Sequence, residues 1–305
     1  MIKHYIHIAR PDHWFKNVFM FPGMIMGLYY LDFKFAPGSI PVVITGILAT
    51  CLIASANYVI NEWLDMEFDR FHPVKKNRPA VQANLKAGIV FTEYALLALS
   101  GLALSTMVSV RFLITEVFFL LMGVIYNVKP LRAKDVTYLD VLTESVNNPV
   151  RFILGWQLMG ISLFPPSSIL IAYWMGGAFL MATKRFAEYR FINNPETARL
   201  YRQSFKYYTE DKLLTSTVFY ALCSSFFLAI FLIKHRIELL ISFPFLALLF
   251  TWYLKIGFEK NSIVQNPEKL FRKKGFIAYV FFLSVLLVVL LKIDIPSLSW
   301  FIKNY

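Results

Sequence analysis

Apolar residues in this chain gather in blocks of about 16–24, close to the roughly 20 that a helix needs to cross a bilayer. Blocks bounded by charge, Pro or Asn give nine candidate spans, at 14–31, 40–63, 88–110, 112–128, 137–161, 166–184, 213–233, 237–255 and 276–293. Gly, Pro or Asn interrupts many of them. A helical bundle tolerates this where neighbouring helices or water satisfy the freed backbone groups. The pattern predicts an all-α polytopic membrane protein, one bundle domain over residues 1–305.

Composition supports that class. The 305 residues are 57% hydrophobic and 16% charged, whereas a soluble domain carries about 25% charged residues. Cys51 and Cys223 both lie inside apolar runs, where they behave as small hydrophobes, so no disulfide framework is expected. His4, His7, His13, His72 and His235 lack metal-ligand spacing. The N-terminus has no uninterrupted apolar stretch before a small-residue cleavage site, so it is expected to be retained.

Charge then sets an expected orientation. With the N-terminus inside, 24 of the 31 Lys and Arg residues fall in inside segments and 6 outside, leaving Arg151 within a span. The positive-inside rule therefore predicts a cytoplasmic N-terminus and, with nine spans, an external C-terminus. The net charge of +12 lies almost wholly on one face. Attraction to anionic membrane lipids explains this, and so does a pocket for a polyanionic substrate. Nucleic acid is not an expected partner, because no soluble basic domain exists to hold it.

Ionisable residues in or beside membrane spans are costly and so are candidates for function. Three clusters qualify. In NYVINEWLDMEFDRFHPVKKNRPA (57–80), Asn61, Asp65 and Asp69 recur every four residues and cover about 80° of one helical face. Stacked carboxylates repel unless a cation intervenes, and Mg²⁺ takes one or two carboxylates plus substrate phosphates. Lys75, Lys76 and Arg78 follow at once, which suits a diphosphate shared between metal and bases.

In KPLRAKDVTYLDVLTESVNNPVRFILGW (129–156), Lys129, Arg132 and Lys134 form a basic turn. Asp140, Glu144, Asn147 and Arg151 then share a stripe of about 60°. Two readings of Arg151 stand: a contact to a substrate phosphate, or a buried pair with Asp140 or Glu144. In MATKRFAEYRFINNPETARLYRQSFKYYTEDK (181–212), Lys184, Arg185 and Glu188 mark the end of the sixth span, with Arg202 and Tyr208 on the loop beyond. No Walker A loop, GxGxxG, GxSxG or HExxH is present.

The Asn61, Asp65, Asp69 spacing resembles the NDxxDxxxD signature of the UbiA-type prenyltransferase superfamily, with Glu62 where Asp is usual. Arg70, His72–Pro73, Lys75–Lys76 and Arg78–Pro79 resemble the continuation of that signature. ARPDHWFKNVFMF, YNVKPLRAKDV with its following Leu139–Asp140 and Arg151, TKRFAEYR, and YRQSFKYYTEDKLL are similar to the decaprenyl-phosphate phosphoribosyltransferase branch. Ordinary members of the superfamily carry a second Asp-rich motif near the end of the sixth span; here Lys184, Arg185 and Glu188 occupy it.

That resemblance implies nine helices with cytoplasmic motif loops in a bacterial inner membrane. It also implies Mg²⁺-dependent transfer of a 5-phosphoribosyl group from phosphoribosyl pyrophosphate to a polyprenyl phosphate. Asp65 and Asp69, assisted by Asn61, are the implied metal ligands, and Lys184 and Arg185 join the two acids as implied catalytic groups. Lys16, Lys75, Lys76, Arg78, Lys129, Lys134, Asp140, Arg151, Glu188, Arg202 and Tyr208 are implied substrate contacts. One rival is prenyl transfer from a prenyl diphosphate to an aromatic or other acceptor, which shares the first motif. Another is a transporter or lipid-phosphate binding protein with no chemistry; a transporter would show inverted repeats and midplane sites, and these polar clusters gather at helix ends instead.

Overall fold

A computed structural model describes residues 2–35 and 39–301, and no strand occurs among them. The helices, in chain order, are α1 (Ile2–Ile8), α2 (Phe21–Tyr30), α3 (Ile40–Asp69), α4 (Pro79–Gln82), α5 (Ala87–Thr106), α6 (Val110–Asn127) and α7 (Leu139–Ser145). They continue with α8 (Asn147–Leu158), α9 (Ser167–Ile192), α10 (Pro195–Tyr201), α11 (Glu210–His235), α12 (Phe243–Gly257) and α13 (Lys274–Lys292). Among the described residues, six stretches are long and apolar enough to cross a membrane: α3, α5, α6, α11, Ile237–Gly257 and α13. The other three expected spans also fall on helix, but in shorter, broken or less apolar form. Residues 14–31 divide into a 3-10 stretch, Pro11–Met20, and α2. Residues 137–161 divide at Val146 into α7 and α8. Pro149 lacks the N–H that would bond the Ser145 carbonyl, so the hydrogen-bond ladder breaks there.

The chain forms two compact units. The first comprises residues 1–164 and 192–209, the second 165–191 and 210–305.

In the first unit α3 packs along α5 and α6, while α2 lies on α8. Its core gathers Met20, Ala49, Ile53, Phe112, Phe119, Val150, Leu154 and Leu158. Backbones touch where α2 and its leading turn meet α8. A Cβ on Gly23 would overlap the Phe152 carbonyl, and one on Gly155 the Met20 carbonyl. Close approach of this kind is how apolar helices gain packing in lipid, where no hydrophobic force draws them together. Gly155→Ala is expected to destabilise the protein by about 1–3 kcal/mol through overpacking. Thermal unfolding in detergent would read this as a lowered Tm, and an unchanged Tm would contradict the tight contact.

α3 positions the site. Thirty residues of helix span roughly 45 Å, against a hydrocarbon thickness of about 30 Å. Asn61, Asp65 and Asp69 occupy its last three turns, at the end of a helix longer than that thickness. Pro73 follows the helix end, and His72 organises the turn: its Nδ1 accepts the backbone N–H groups of Val74 and Lys75, both at 3.1 Å.

In the second unit, Phe179 of α9 stacks on Phe250 of α12 at 4.5 Å, and Phe186 meets Phe258 edge-on. The α12 Gly257 lies against Thr183, so the two helices approach closely there. Arg236 ties the α11 end to the chain beyond α13 by pairing with Asp294 at 2.7 Å.

Candidate active site

Both acids of the α3 stripe, Asp65 and Asp69, face a base. Asp69 is 2% exposed and pairs with Arg78 at 2.5 Å through Oδ2. Asp65 receives two bases on Oδ1: Arg132 at 3.1 Å and the Lys134 ammonium. Asn61 Nδ2 donates to Asn127 Oδ1 at 2.6 Å, and Lys134 Nζ donates to that same oxygen at 2.7 Å. Asn127 thus joins the stripe on α3 to the basic turn after α6.

Arg132 is fixed from every side. It donates to the Asn127 carbonyl at 3.0 Å and to Asp135 at 2.9 Å, and its guanidinium lies 4.9 Å from the Phe68 ring centre. Its backbone has φ +23°, which a non-glycine residue holds only when its surroundings enforce it. Burial pushes the Lys134 ammonium down to about 8; neighbouring Arg132 pushes the same way and Asp65 opposes them. Burial alone would lower the Arg78 pKa, but Asp69 and Glu62 outweigh it and hold the guanidinium above its ordinary value. Lys75 bonds the Tyr201 hydroxyl, and the His72 ring meets Tyr201 edge-on at 4.6 Å.

A second knot holds segment 192–209 in place. Asp140, fully buried, accepts from the Tyr208 hydroxyl at 2.8 Å and the Ser204 hydroxyl at 3.1 Å, with Arg202 at 3.8 Å. Tyr208 in turn accepts the Tyr138 N–H at 2.8 Å, where Tyr138 has φ +68°. Asp140 and Tyr208 therefore anchor this segment. Tyr208→Phe is expected to cost about 1–3 kcal/mol, because it strips a donor from a buried carboxylate. Limited proteolysis within 192–209 should quicken, and unchanged cleavage would argue against the anchor.

Arg151 does not form the expected pair with Asp140 or Glu144 in this arrangement. Its Nε donates to Asn17 Oδ1 at 2.9 Å, one Nη donates to the Asn147 carbonyl at 3.3 Å, and it lies 4.8 Å from the Phe119 ring centre. The break at Val146 separates Asp140 from Arg151, so the expected continuous stripe becomes two sites. Lys16 sits over the Tyr58 ring at 5.2 Å, while Lys76 and Lys129 are exposed. Lys184, Arg185 and Glu188 lie on α9 in the second unit, where Arg185 pairs with Glu188 at 3.2 Å and both are buried.

Sequence reasoning did not single out Asn127, Tyr201 or Arg10 as site residues. Asn127 carried a signal: a buried amide at the end of an apolar helix, immediately before the basic turn. Arg10 and Tyr201 reach the site through tertiary folding alone.

The donor set can be tested for Mg²⁺. Among the described residues no three His, Cys, Asp or Glu side chains group as a ready metal cage. A hard cation that prefers to keep water and substrate phosphates does not need one. The bases converge on Oδ1 of Asp65 and on Oδ2 of Asp69, so each carboxylate has a second oxygen to offer. The residues fit a metal that arrives with an anionic substrate.

The profile of the UbiA prenyltransferase family matches residues 20–286. The chain belongs to this family. Decaprenyl-phosphate phosphoribosyltransferase of Mycolicibacterium smegmatis is 25% identical over 214 residues, 70% of this chain and 65% of the relative. The enzyme of the same name from Corynebacterium glutamicum is 28% identical, over 68% of this chain and 60% of its own length. The chain thus spans a little under two thirds of these curated relatives. A UbiA homolog from Archaeoglobus fulgidus, solved bound to DMAPP and Mg²⁺, shares the fold with a TM-score of 0.69 and 19% identity, covering 92% of this chain and 98% of that one. UbiA membership confirms the resemblance read from the Asn61–Asp65–Asp69 spacing.

Proposed function

We propose that this UbiA-family protein is a membrane transferase that moves a 5-phosphoribosyl group from phosphoribosyl pyrophosphate to a polyprenyl phosphate, with Mg²⁺ and release of diphosphate. The observation that carries the reading is the base matched to every acid of the α3 stripe. Such a site is balanced before substrate arrives, and Lys75 and Lys76 add positive charge for a donor with an extra phosphate. The names of the mycobacterial and corynebacterial relatives support the same choice.

Asp65, Asp69 and Asn61 would hold Mg²⁺, which when bound neutralises diphosphate charge and eases its departure. Arg78, Lys75 and Lys76 take the diphosphate oxygens, a preorganised electrostatic contribution of the kind that is often the largest. The C1–O bond to diphosphate breaks with its electron pair leaving on the diphosphate. A lipid phosphate oxygen forms the new bond on the opposite face of C1, giving the β-linked product. That oxygen is already anionic, so the residues need only position it. Lys184, Arg185 and Arg151 are the groups proposed for this task. Lys16, Lys129, Lys134, Asp140, Glu188, Arg202 and Tyr208 are proposed to shape or line the substrate site.

The reading places one catalytic domain with nine spans in a bacterial inner membrane, with the N-terminus and site cytoplasmic and the C-terminus outside. The Lys and Arg bias supports that orientation. Prenyl transfer to an aromatic or other acceptor is the second reading, favoured by the family name.

The test uses purified protein with Mg²⁺, a long-chain polyprenyl phosphate and radiolabelled phosphoribosyl pyrophosphate. Label entering the organic phase, dependent on both Mg²⁺ and lipid phosphate, is the expected result. Label moving only from a prenyl diphosphate to an aromatic acceptor would establish the second reading.

A further inference from the structure

Segment 10–17 runs along α3 in the opposite direction and meets it at successive turns. Arg10 pairs with Glu62, the His13 ring meets the Tyr58 ring edge-on at 5.2 Å, Trp14 donates to Ser55 at 2.9 Å, and Asn17 donates to Cys51 at 3.1 Å. Behind it, Tyr5 and Ile8 of α1, together with Ala9 just past its end, pack on Val59, Ala80 and Leu85. At the head of the segment Arg10 adopts φ +48°, a left-handed conformation that the packing on either side enforces.

Glu62 is 1% exposed, and both Arg10 donors, Nε at 2.8 Å and Nη2, fall on one oxygen, Oε2. The other oxygen, Oε1, is buried without a hydrogen-bond partner among the described residues. A buried carboxylate oxygen left unmet is costly, so this atom calls for a donor. On α3, Glu62 lies within about 20° of Asp69 and about 60° of Asp65, so it shares the face of the acids assigned to the metal. Its extra methylene, relative to the Asp of the family signature, carries the carboxylate out to Arg10. A carboxylate oxygen is a strong hydrogen-bond acceptor, and the pairing of Oε2 with Arg10 leaves Oε1 as the atom with acceptor capacity to spare.

We propose that Glu62 Oε1 accepts a hydrogen bond from a sugar hydroxyl of the donor, and that Arg10 is the positioning residue that holds it there. Glu62 is then a specificity-determining residue. It favours a hydroxyl-bearing pentosyl donor over a prenyl diphosphate, which has no hydroxyl to offer. This inference rests on the phosphoribosyl reading above.

The test measures kcat/KM of the full chain for phosphoribosyl pyrophosphate and for its 2-deoxy and 3-deoxy analogues, in wild type, Glu62→Met, Glu62→Gln and Arg10→Met. Wild type is expected to prefer the intact donor over one analogue by on the order of 10–100-fold, the range for a hydrogen bond to a charged group. Glu62→Met should bring that ratio close to one. Arg10→Met should slow both donors while keeping most of the ratio, because the acceptor remains. If Glu62→Met does not fold, Glu62→Gln carries the test and should lower the ratio by about 3–10-fold.

A wild-type ratio near one overturns the proposal, as does a ratio insensitive to Glu62. A raised Mg²⁺ requirement in Glu62→Met with an unchanged ratio would assign Glu62 to the metal instead. Pentosyl transfer with a Glu62-independent ratio sinks this inference alone. Transfer of prenyl groups only sinks it together with the functional reading.

Discussion

Asp65→Asn and Asp69→Asn are each expected to lower turnover by at least about 10²–10³-fold, the scale on which one preorganised electrostatic contact contributes, while the protein stays folded and inserted. The two changes act through different bases. Asp65→Asn withdraws charge from a carboxylate that holds both Lys134 and Arg132. Those bases keep Asn127 as a shared acceptor, so the turn after α6 has reason to remain in place. Asp69→Asn removes the direct partner of Arg78, but the Arg78 side chain is 23% exposed and Glu62 still lies within its electrostatic reach. Loss of activity with an elution profile and Tm close to wild type is therefore the expected pair of results. Adding Mg²⁺ should restore part of the activity if affinity is what was lost. Near-wild-type turnover in both variants would remove these acids from the metal assignment.

The α3 stripe was legible in the sequence because helical periodicity is local. Residues four apart share a face whatever surrounds them, so Asn61, Asp65 and Asp69 could be placed together before any tertiary contact was known. The same reasoning applied to residues 140–151 produced one stripe where the structure has two sites. Asp140 bonds Ser204 and Tyr208 beside Arg202, whereas Arg151 bonds Asn17, so the two residues serve different neighbours. The stripe was visible, but the partners of Asp140 depended on segment 192–209 folding back over more than 60 residues. Arg10 with Glu62 and Lys75 with Tyr201 were illegible for a related reason: the partners stand 52 and 126 residues apart. Glu62 was visible as a departure from a signature, and its meaning came only with its partner.

Span counting shows where composition runs out. α3, α5, α6, α11, the stretch ending in α12, and α13 carry enough uninterrupted apolar length to be recognised from either direction. The first, fifth and sixth expected spans trade apolar length for chemistry: Lys16 and Asn17, then Asp140 and Arg151, then Lys184, Arg185 and Glu188. A helix that carries polar groups toward a site scores poorly as a membrane span for the reason that makes it worth examining.

Arg78→Met is expected to be the most destabilising single change at the site, by about 3–5 kcal/mol, because it leaves the Asp69 carboxylate buried without its cation. A surface pair would contribute far less, but Asp69 is only 2% exposed. The cost lies in the stranded charge rather than in the lost contact, and that distinction can be measured. Adding Asp69→Asn to Arg78→Met removes the uncompensated charge, so the double variant should be more stable than Arg78→Met alone, with a coupling of the size expected for contacting residues, about 0.5–3 kcal/mol. Arg78→Lys should fall between wild type and Arg78→Met, since an ammonium keeps the charge and loses the planar fork. Denaturant unfolding in detergent, followed by tryptophan fluorescence, reads all four proteins on one scale. Arg78→Met within about 1 kcal/mol of wild type, or a double variant no better than the single, would mean that Asp69 finds its compensation elsewhere. The first role proposed for Arg78, gripping diphosphate, would then be the whole of its role. The expected outcome gives it two, because the base that stabilises the buried Asp69 carboxylate is the same one proposed to grip the diphosphate.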